Sequence, residues 1–224
     1  MRLRLRSYSV SSVVDSYRTF IAVELPRDLR ARIVEHINLL RRELPDVRAS
    51  WTREESLHLT LKFFGDVPVA DISKVSDAVE RAAKTVAPFE LVLCGCGSFP
   101  PHGRPSVLWI GVLSVPPAIA GGPASVLSVP PAVGGGYANS LATLHAALET
   151  ECAAAGFPRE QRPFHPHLTI ARLRKPQGAR RLAELHQSLG FTRQSFPVSK
   201  VVLFRSELLK EGSKHTALFR HRLG

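Results

Sequence analysis

SLHLTLKFFGDV at residues 56–67 has a counterpart in RPFHPHLTIARLR at 162–174. Each segment holds one His-x-Thr tripeptide, His58-Leu59-Thr60 in the first and His167-Leu168-Thr169 in the second. Both lie in β-rich runs. Side chains on a strand alternate between faces, so His at i and Thr at i+2 share a face about 6.6 Å apart along the chain. Leu59 and Leu61, and likewise Leu168 and Ile170, then point to the opposite face. Each segment reads as a strand with a polar pair on one side and an apolar anchor on the other. The first run, over 57–64, is expected to stop at a Gly65-Asp66 turn.

Outward from these strands the chain alternates. Residues 19–25 read as a buried strand. Pro26 and Asp28 then open a helix to about Leu44, with Leu29, Ile33, Ile37 and Leu40 on one face. Further helices are expected over about 70–86, 139–155 and 177–189. Leu141, Leu144, Leu148 and Cys152 line the inner face of the 139–155 helix. Strands are expected near 89–94, 107–112, 165–173, 196–205 and 215–222. Alternating elements, with some strands adjacent in sequence, indicate an α+β or mixed α/β fold with much antiparallel sheet. Residues 18–224 are assigned to a single domain.

Two stretches stand apart. Residues 1–17 are rich in Arg and Ser and lack the apolar core of a secretory signal, so they read as a disordered basic extension. A transit peptide has a similar composition, and a misplaced start codon would produce such a tail as well. VLSVPPAIAGG at 112–122 recurs as VLSVPPAVGGG at 126–136. Two Pro-Pro/Gly-Gly units are too few for a solenoid and too poor in packing residues for a core. Residues 114–136 therefore read as a duplicated, mobile surface insertion, with a lid over the active site as a second reading.

Bulk composition narrows the function. The chain has 224 residues, 44% hydrophobic and 22% charged, as expected of a soluble globular protein. No apolar run approaches the roughly 18 residues of a membrane span. Lys and Arg number 30 against 19 acids, a net charge of +11 that favours an anionic partner such as RNA or a phosphate ester. Three cysteines without a secretory signal suggest reduced thiols and a cytoplasmic location. Cys94-Gly95-Cys96 has neither zinc nor redox spacing and reads as a buried strand end. A GxxxxGK phosphate loop is absent, which argues against an ATP-driven enzyme.

One His-x-Thr on a strand is more often a surface or satisfied histidine. Two copies, each starting a strand, suggest paired chemistry. Phosphodiester hydrolysis needs a base for the attacking water and an acid for the leaving oxygen. Histidine serves either role near neutral pH. Thr60 and Thr169 hydroxyls can donate to non-bridging phosphate oxygens, where charge builds in the transition state. No metal and no cofactor is required.

Other residues compete with this pair. His165-Pro166-His167 is a His-x-His spacing that, with His58, would supply three nitrogen ligands to zinc. No carboxylate lies nearby in sequence, and Thr60 would then have no role. Lys62 alternates onto the His58–Thr60 face, to add positive potential or to point into water. His145 and Glu149, one helical turn apart, read as a local hydrogen-bonded pair. His36, His102, His186, His215 and His221 carry no usable pattern.

Together RTFIAVELP (18–26), the two His-x-Thr segments and FPVSKVVLFRSEL (196–208) resemble the two-histidine phosphoesterase superfamily. Within it, the likeness is to the RNA 2′,3′-cyclic phosphodiesterases historically called 2′-5′ RNA ligases. The resemblance covers nearly all of 18–222 in order; the extension and the duplicated insertion depart from it. It implies an α+β, bilobal fold: two pseudo-symmetric lobes, each an antiparallel sheet flanked by helices, with one His-x-Thr strand per lobe facing a central cleft. It also implies hydrolysis of RNA 2′,3′-cyclic phosphate ends to 2′-phosphates, and ATP-independent 2′-5′ joining as the reverse reaction. His58 would be the acid for the 3′ oxygen, His167 the base for water, and Arg172 a phosphate contact. Phe20 would stack on a terminal base or belong to the core.

The expected substrate is RNA with a cyclic phosphate terminus, tRNA-derived ends included, handled by a monomer without a membrane. The competing expectations are an RNA-end-binding module without turnover and a phosphodiesterase for small cyclic nucleotides.

Overall fold

Strand β1 (Ser16–Glu24) buries four consecutive residues, Phe20, Ile21, Ala22 and Val23, so both its faces are covered. Only a strand inside a sheet can satisfy that pattern. In the computed structural model, which describes residues 15–115, 140–209 and 212–224, β1 lies between β3 (His58–Pro68) and β8 (Lys200–Leu209). β9 (Gly212–Arg222) completes a four-stranded sheet in the order β3-β1-β8-β9. A second sheet has the order β2-β6-β5-β4-β7, formed by Ser50–Trp51, His167–Arg172, Val107–Val115, Phe89–Phe99 and Gln194–Val198 respectively. Every strand pair in both sheets is antiparallel.

Among the described residues, four α-helices back the sheets: α1 (Arg27–Glu43), α2 (Ile72–Ala83), α3 (Ser140–Ala154) and α4 (Ala179–Leu189). α1 starts after Pro26, with Asp28 in its first turn and Arg41 and Arg42 in its last, charges that complement the helix dipole. Its expected stripe of Leu29, Ile33, Ile37 and Leu40 is buried, each side chain contributing about 1.5–3 kcal/mol. α2 and α3 pack on the first sheet's side; α4 packs against β4, and α1 against α4. The expected inner face of α3 is also buried: Leu141, Leu144, Leu148 and Cys152. One apolar core runs through both halves, from Ile21 and Leu59 to Leu168 and Ile170. A smaller cluster of Phe20, Ala22, Val202 and Phe204 covers the other face of the first sheet. The chain crosses repeatedly between the halves, so the two lobes form one interlocked α+β unit.

Four expectations change. The strand expected over 196–205 is two strands. β7 ends at Val198 in the second sheet and β8 starts at Lys200 in the first, so Ser199 is where the chain changes sheets. Continuous apolarity hid the break. Gly65-Asp66 is not a turn. β3 continues to Pro68, and a bulge in its pairing with β1 is accommodated by Gly65 at φ 75°. Cys94-Gly95-Cys96 is not a strand end either. β4 runs on to Phe99, and Gly95, at φ 70°, is an extra residue between Cys94↔Gly111 and Cys96↔Ile110. Finally, Ser16 and Tyr17 belong to β1, and Tyr17 lies beneath the Arg205 guanidinium at 4.1 Å. The rest of the basic extension (1–14) and residues 116–136 of the duplicated insertion lie outside the described residues.

Candidate active site

Both tripeptides sit where the anchors force them. Leu59, Leu61, Leu168 and Ile170 are buried in the core, which turns His58, Thr60, His167 and Thr169 to the opposite faces of their strands. β3 is the edge strand of the first sheet, and β6 is next to the edge of the second, covered only by two-residue β2. The two strands approach one another. All four polar side chains therefore line one cleft of about 900 Å³ between the sheets.

The two histidines are held alike. His167 Nδ1 lies 2.7 Å from the His165 carbonyl oxygen. A carbonyl only accepts, so Nδ1 carries the hydrogen and neutral Nε2 is left as an acceptor. His58 makes the same kind of bond to the backbone two residues earlier, at Ser56. An aromatic ring supports each imidazole. Phe20 stacks on His58 at 4.7 Å between centroids, and Phe99 meets His167 edge-on at 5.0 Å.

Burial in this aromatic cage, reinforced by neighbouring His215, drives the His58 pKa down to about 4, against a smaller upward pull from the Ser56 backbone. Burial also lowers that of His167, with Arg172 adding to the effect and the His165 backbone bond opposing it. Both shifts favour the neutral imidazole.

The lining is one-signed. Arg18, Arg53, Arg172 and Arg174 all border the cleft, and no Asp or Glu does so among the described residues. Arg53 donates to the Ser213 carbonyl at 3.2 Å, tying the loop before β3 to the β8–β9 hairpin. Thr52 Oγ1 donates to the Thr169 carbonyl at 3.0 Å and braces the second motif.

Arg172, at the end of β6, borders the cleft. Phe20 lines the cleft but is only 3% exposed, with its ring stacked on His58 and Phe204. No open face remains for a base, which corrects the stacking assignment. The exposed ring at this end of the cleft is Phe63, 46% accessible, with the Arg18 guanidinium 4.6 Å from its centroid.

Lys62 does not face the cleft. The β3 pairing skips a residue between Thr60 and Lys62, so alternation fails there. Its ammonium is buried and donates to both Glu149 carboxylate oxygens at 2.8 and 2.9 Å and to the Pro158 carbonyl. Glu149 is therefore principally the partner of Lys62. His145 lies 3.8 Å from it and stacks on Phe164.

His165 is exposed and precedes β6, so it does not join His58 and His167 in a ligand set. Among the described residues, the group with ligand atoms close enough for a metal is His36, Cys96 and His186, none of which lines the cleft.

His215 is the residue that sequence reasoning missed. Its ring meets His58 edge-on at 5.0 Å and also contacts Phe20. In sequence it looks no different from His221, farther along the same strand. Pairing of Ser206 with His215, and of β8 with β1, is what brings it to the cleft.

Two antiparallel sheets that each present one His-x-Thr strand to a shared cleft define a two-histidine phosphoesterase. The chain belongs to the 2′-5′ RNA ligase superfamily, whose family model matches residues 25–208. It is 31% identical over 209 residues to an RNA 2′,3′-cyclic phosphodiesterase of Methanothermobacter thermautotrophicus, covering 92% of this chain and 98% of that one. A Thermotoga maritima relative of the same name is 26% identical, covering 90% and 93% of the two chains. Among solved structures, TT0787 of Thermus thermophilus superposes with a TM-score of 0.67 at 26% identity, covering 92% and 97%. Escherichia coli LigT complexed with 3′-AMP shares the fold, with a TM-score of 0.64 at 24% identity and coverage of 93% and 99%.

Proposed function

We propose that this protein hydrolyses 2′,3′-cyclic phosphates at RNA ends to 2′-phosphates, with His58 and His167 as its acid–base pair. The observation that carries this reading is the convergence of two His-x-Thr pairs, one from each sheet, on a cleft whose charged lining, among the described residues, is arginine. The relatives' shared name, RNA 2′,3′-cyclic phosphodiesterase, supports the same substrate.

His167 Nε2 takes a proton from water, whose oxygen attacks phosphorus. The bond from phosphorus to the 3′ oxygen breaks, and His58 protonates that oxygen to leave a 3′-hydroxyl. Thr60 and Thr169 donate to the non-bridging oxygens, and Arg172 offsets the developing charge. The cycle ends with His58 neutral and His167 protonated; exchange with solvent resets both. Burial keeps His58 neutral in the empty cleft. The negative charge of the bound phosphodiester is what restores its proton, because an adjacent anion favours the imidazolium. With a 5′-hydroxyl in place of water as the nucleophile, the same groups would join RNA ends through a 2′-5′ linkage without ATP.

Phe63 takes the role of base platform. Arg18, Arg53 and Arg174 extend the positive lining beyond one phosphate, favouring RNA, tRNA-derived ends among them, over a small cyclic nucleotide. We read the protein as a monomer, since both His-x-Thr pairs of the cleft come from one chain. It is assigned to the cytoplasm on its three unpaired cysteines; separately, no described helix is long and apolar enough to cross a membrane.

The test is hydrolysis of an oligonucleotide ending in 2′,3′-cyclic phosphate. His58→Ala and His167→Ala should each lower the rate by roughly 10²–10⁴ while binding RNA ends. Full activity in either folded variant would refute the mechanism. Binding without product in the wild type would refute the enzyme.

A further inference from the structure

We propose that His36, Cys96 and His186 form a zinc-class metal site behind the second sheet, separate from the catalytic cleft. The three side chains come from α1, β4 and α4, and their candidate ligand atoms lie within 4.8 Å of one another. Two nitrogens and one thiolate suit Zn²⁺, whose bonds of about 2.0–2.1 Å to nitrogen and 2.3 Å to sulfur require the nitrogens to part by only a few tenths of an ångström and the sulfur to close in by about an ångström at most.

The surroundings orient the set. His186 is fully buried, and its Nε2 lies 3.0 Å from the Trp109 carbonyl. That carbonyl accepts, so Nε2 carries the hydrogen and Nδ1 presents its lone pair inward. A ligating histidine normally donates its other N–H to such a partner. His36 Nε2 lies 2.9 Å from that same Nδ1, so two ring nitrogens already converge on one point. The Gly95 bulge re-aims Cys96, whose side chain packs toward the helix side of the sheet. His36 also borders a surface pocket of about 410 Å³ with Gly190, Phe191 and Gln194. Of the three residues His36 is the one that lines this pocket, so a metal would enter past its ring.

Binding replaces the hydrogen bond between the histidines with two nitrogen–metal bonds. The Cys96 thiol releases its proton to solvent as the sulfur–metal bond forms, and the His36 hydrogen moves to Nδ1 through solvent. The metal would join α1 and α4 to β4, and through Trp109 to β5, the strand paired with the His167–Thr169 strand.

Co²⁺ titration of the full-length, metal-stripped protein tests this. The expected result is one Co²⁺ per chain with a near-ultraviolet thiolate-to-cobalt charge-transfer band, abolished in Cys96→Ser and weakened in His36→Gln. The cleft histidines cannot imitate that band, because no cysteine lines the cleft. Zn²⁺ at a hundredfold excess over Kd should raise the wild-type Tm by roughly 5–10 °C and leave Cys96→Ser unchanged. Both variants should retain phosphodiesterase activity, which confirms that they fold and separates this site from the reading of the cleft. Absence of a charge-transfer band in the wild type, or its persistence in Cys96→Ser, would overturn the proposal.

Discussion

His58 shows how a residue's neighbours set its chemistry. Phe20 and Phe204 stack beneath it, His215 meets it edge-on, and its pKa falls to about 4 because burial penalises the charged ring. Two outcomes follow for the ligand-free protein. The His58 imidazole, followed by nuclear magnetic resonance, should titrate near pH 4, and His215→Ala should move that midpoint upward by opening the cage to water and removing a neighbouring positive charge. Stability should depend on pH in the same window. Unfolded His58 takes up a proton near 6.5 but folded His58 only near 4, so the unfolded state binds more protons between them, and stability falls as pH falls from 6.5 to 4. His58→Phe keeps the stack and removes the titration. It should flatten this decline by on the order of 3 kcal/mol, at about 1.4 kcal/mol per pH unit, as read from urea unfolding at several pH values.

At the scale of elements, the bulge in β3 decides more than a local kink. It turns Lys62 away from the cleft and into the interior, where Glu149 of α3 meets it, and it turns Phe63 out to the rim. The ion pair is nearly fully buried, with the side chains 2% and 9% exposed. Its net contribution to stability is small, because desolvating two charges offsets their attraction. Removing one partner strands the other. Lys62→Met or Glu149→Leu alone should therefore cost about 3–5 kcal/mol in urea unfolding, and the double substitution should recover most of that loss. If the single losses simply added in the double variant, the pair would not be coupled. Strict alternation predicted the correct face for His58 and Thr60 because both precede the bulge. It failed at Lys62 because an extra residue in one strand alters the phase of everything after it.

For the whole molecule, the net charge of +11 becomes specific once the cleft is seen. Four arginines and no carboxylate among the described lining residues concentrate positive potential where the substrate phosphate must sit. The KM for a cyclic-phosphate oligonucleotide should rise steeply with NaCl, with a log–log slope of about 0.7 per phosphate contacted, and kcat should change little. Arg174→Ala should reduce that slope by roughly one contact. A salt-independent KM would mean that binding does not run along this lining.

The sequence by itself determined the two His-x-Thr strands, the apolar anchors behind them, the buried stripe of α1 and the family resemblance. All of these depend on local periodicity, which a strand or helix imposes within a few residues. Only the tertiary structure decided that β7 and β8 belong to different sheets, that Phe20 supports His58 and leaves the open rim to Phe63, and that His215, 157 positions beyond His58 in a chain of 224, completes the cage. Those outcomes depend on register, on bulges and on which strands become neighbours. Pairing distant strands is a property of the folded sheet, and no single strand carries its signal. The two tripeptides could be read as partners from their likeness, but their meeting across one cleft required both sheets.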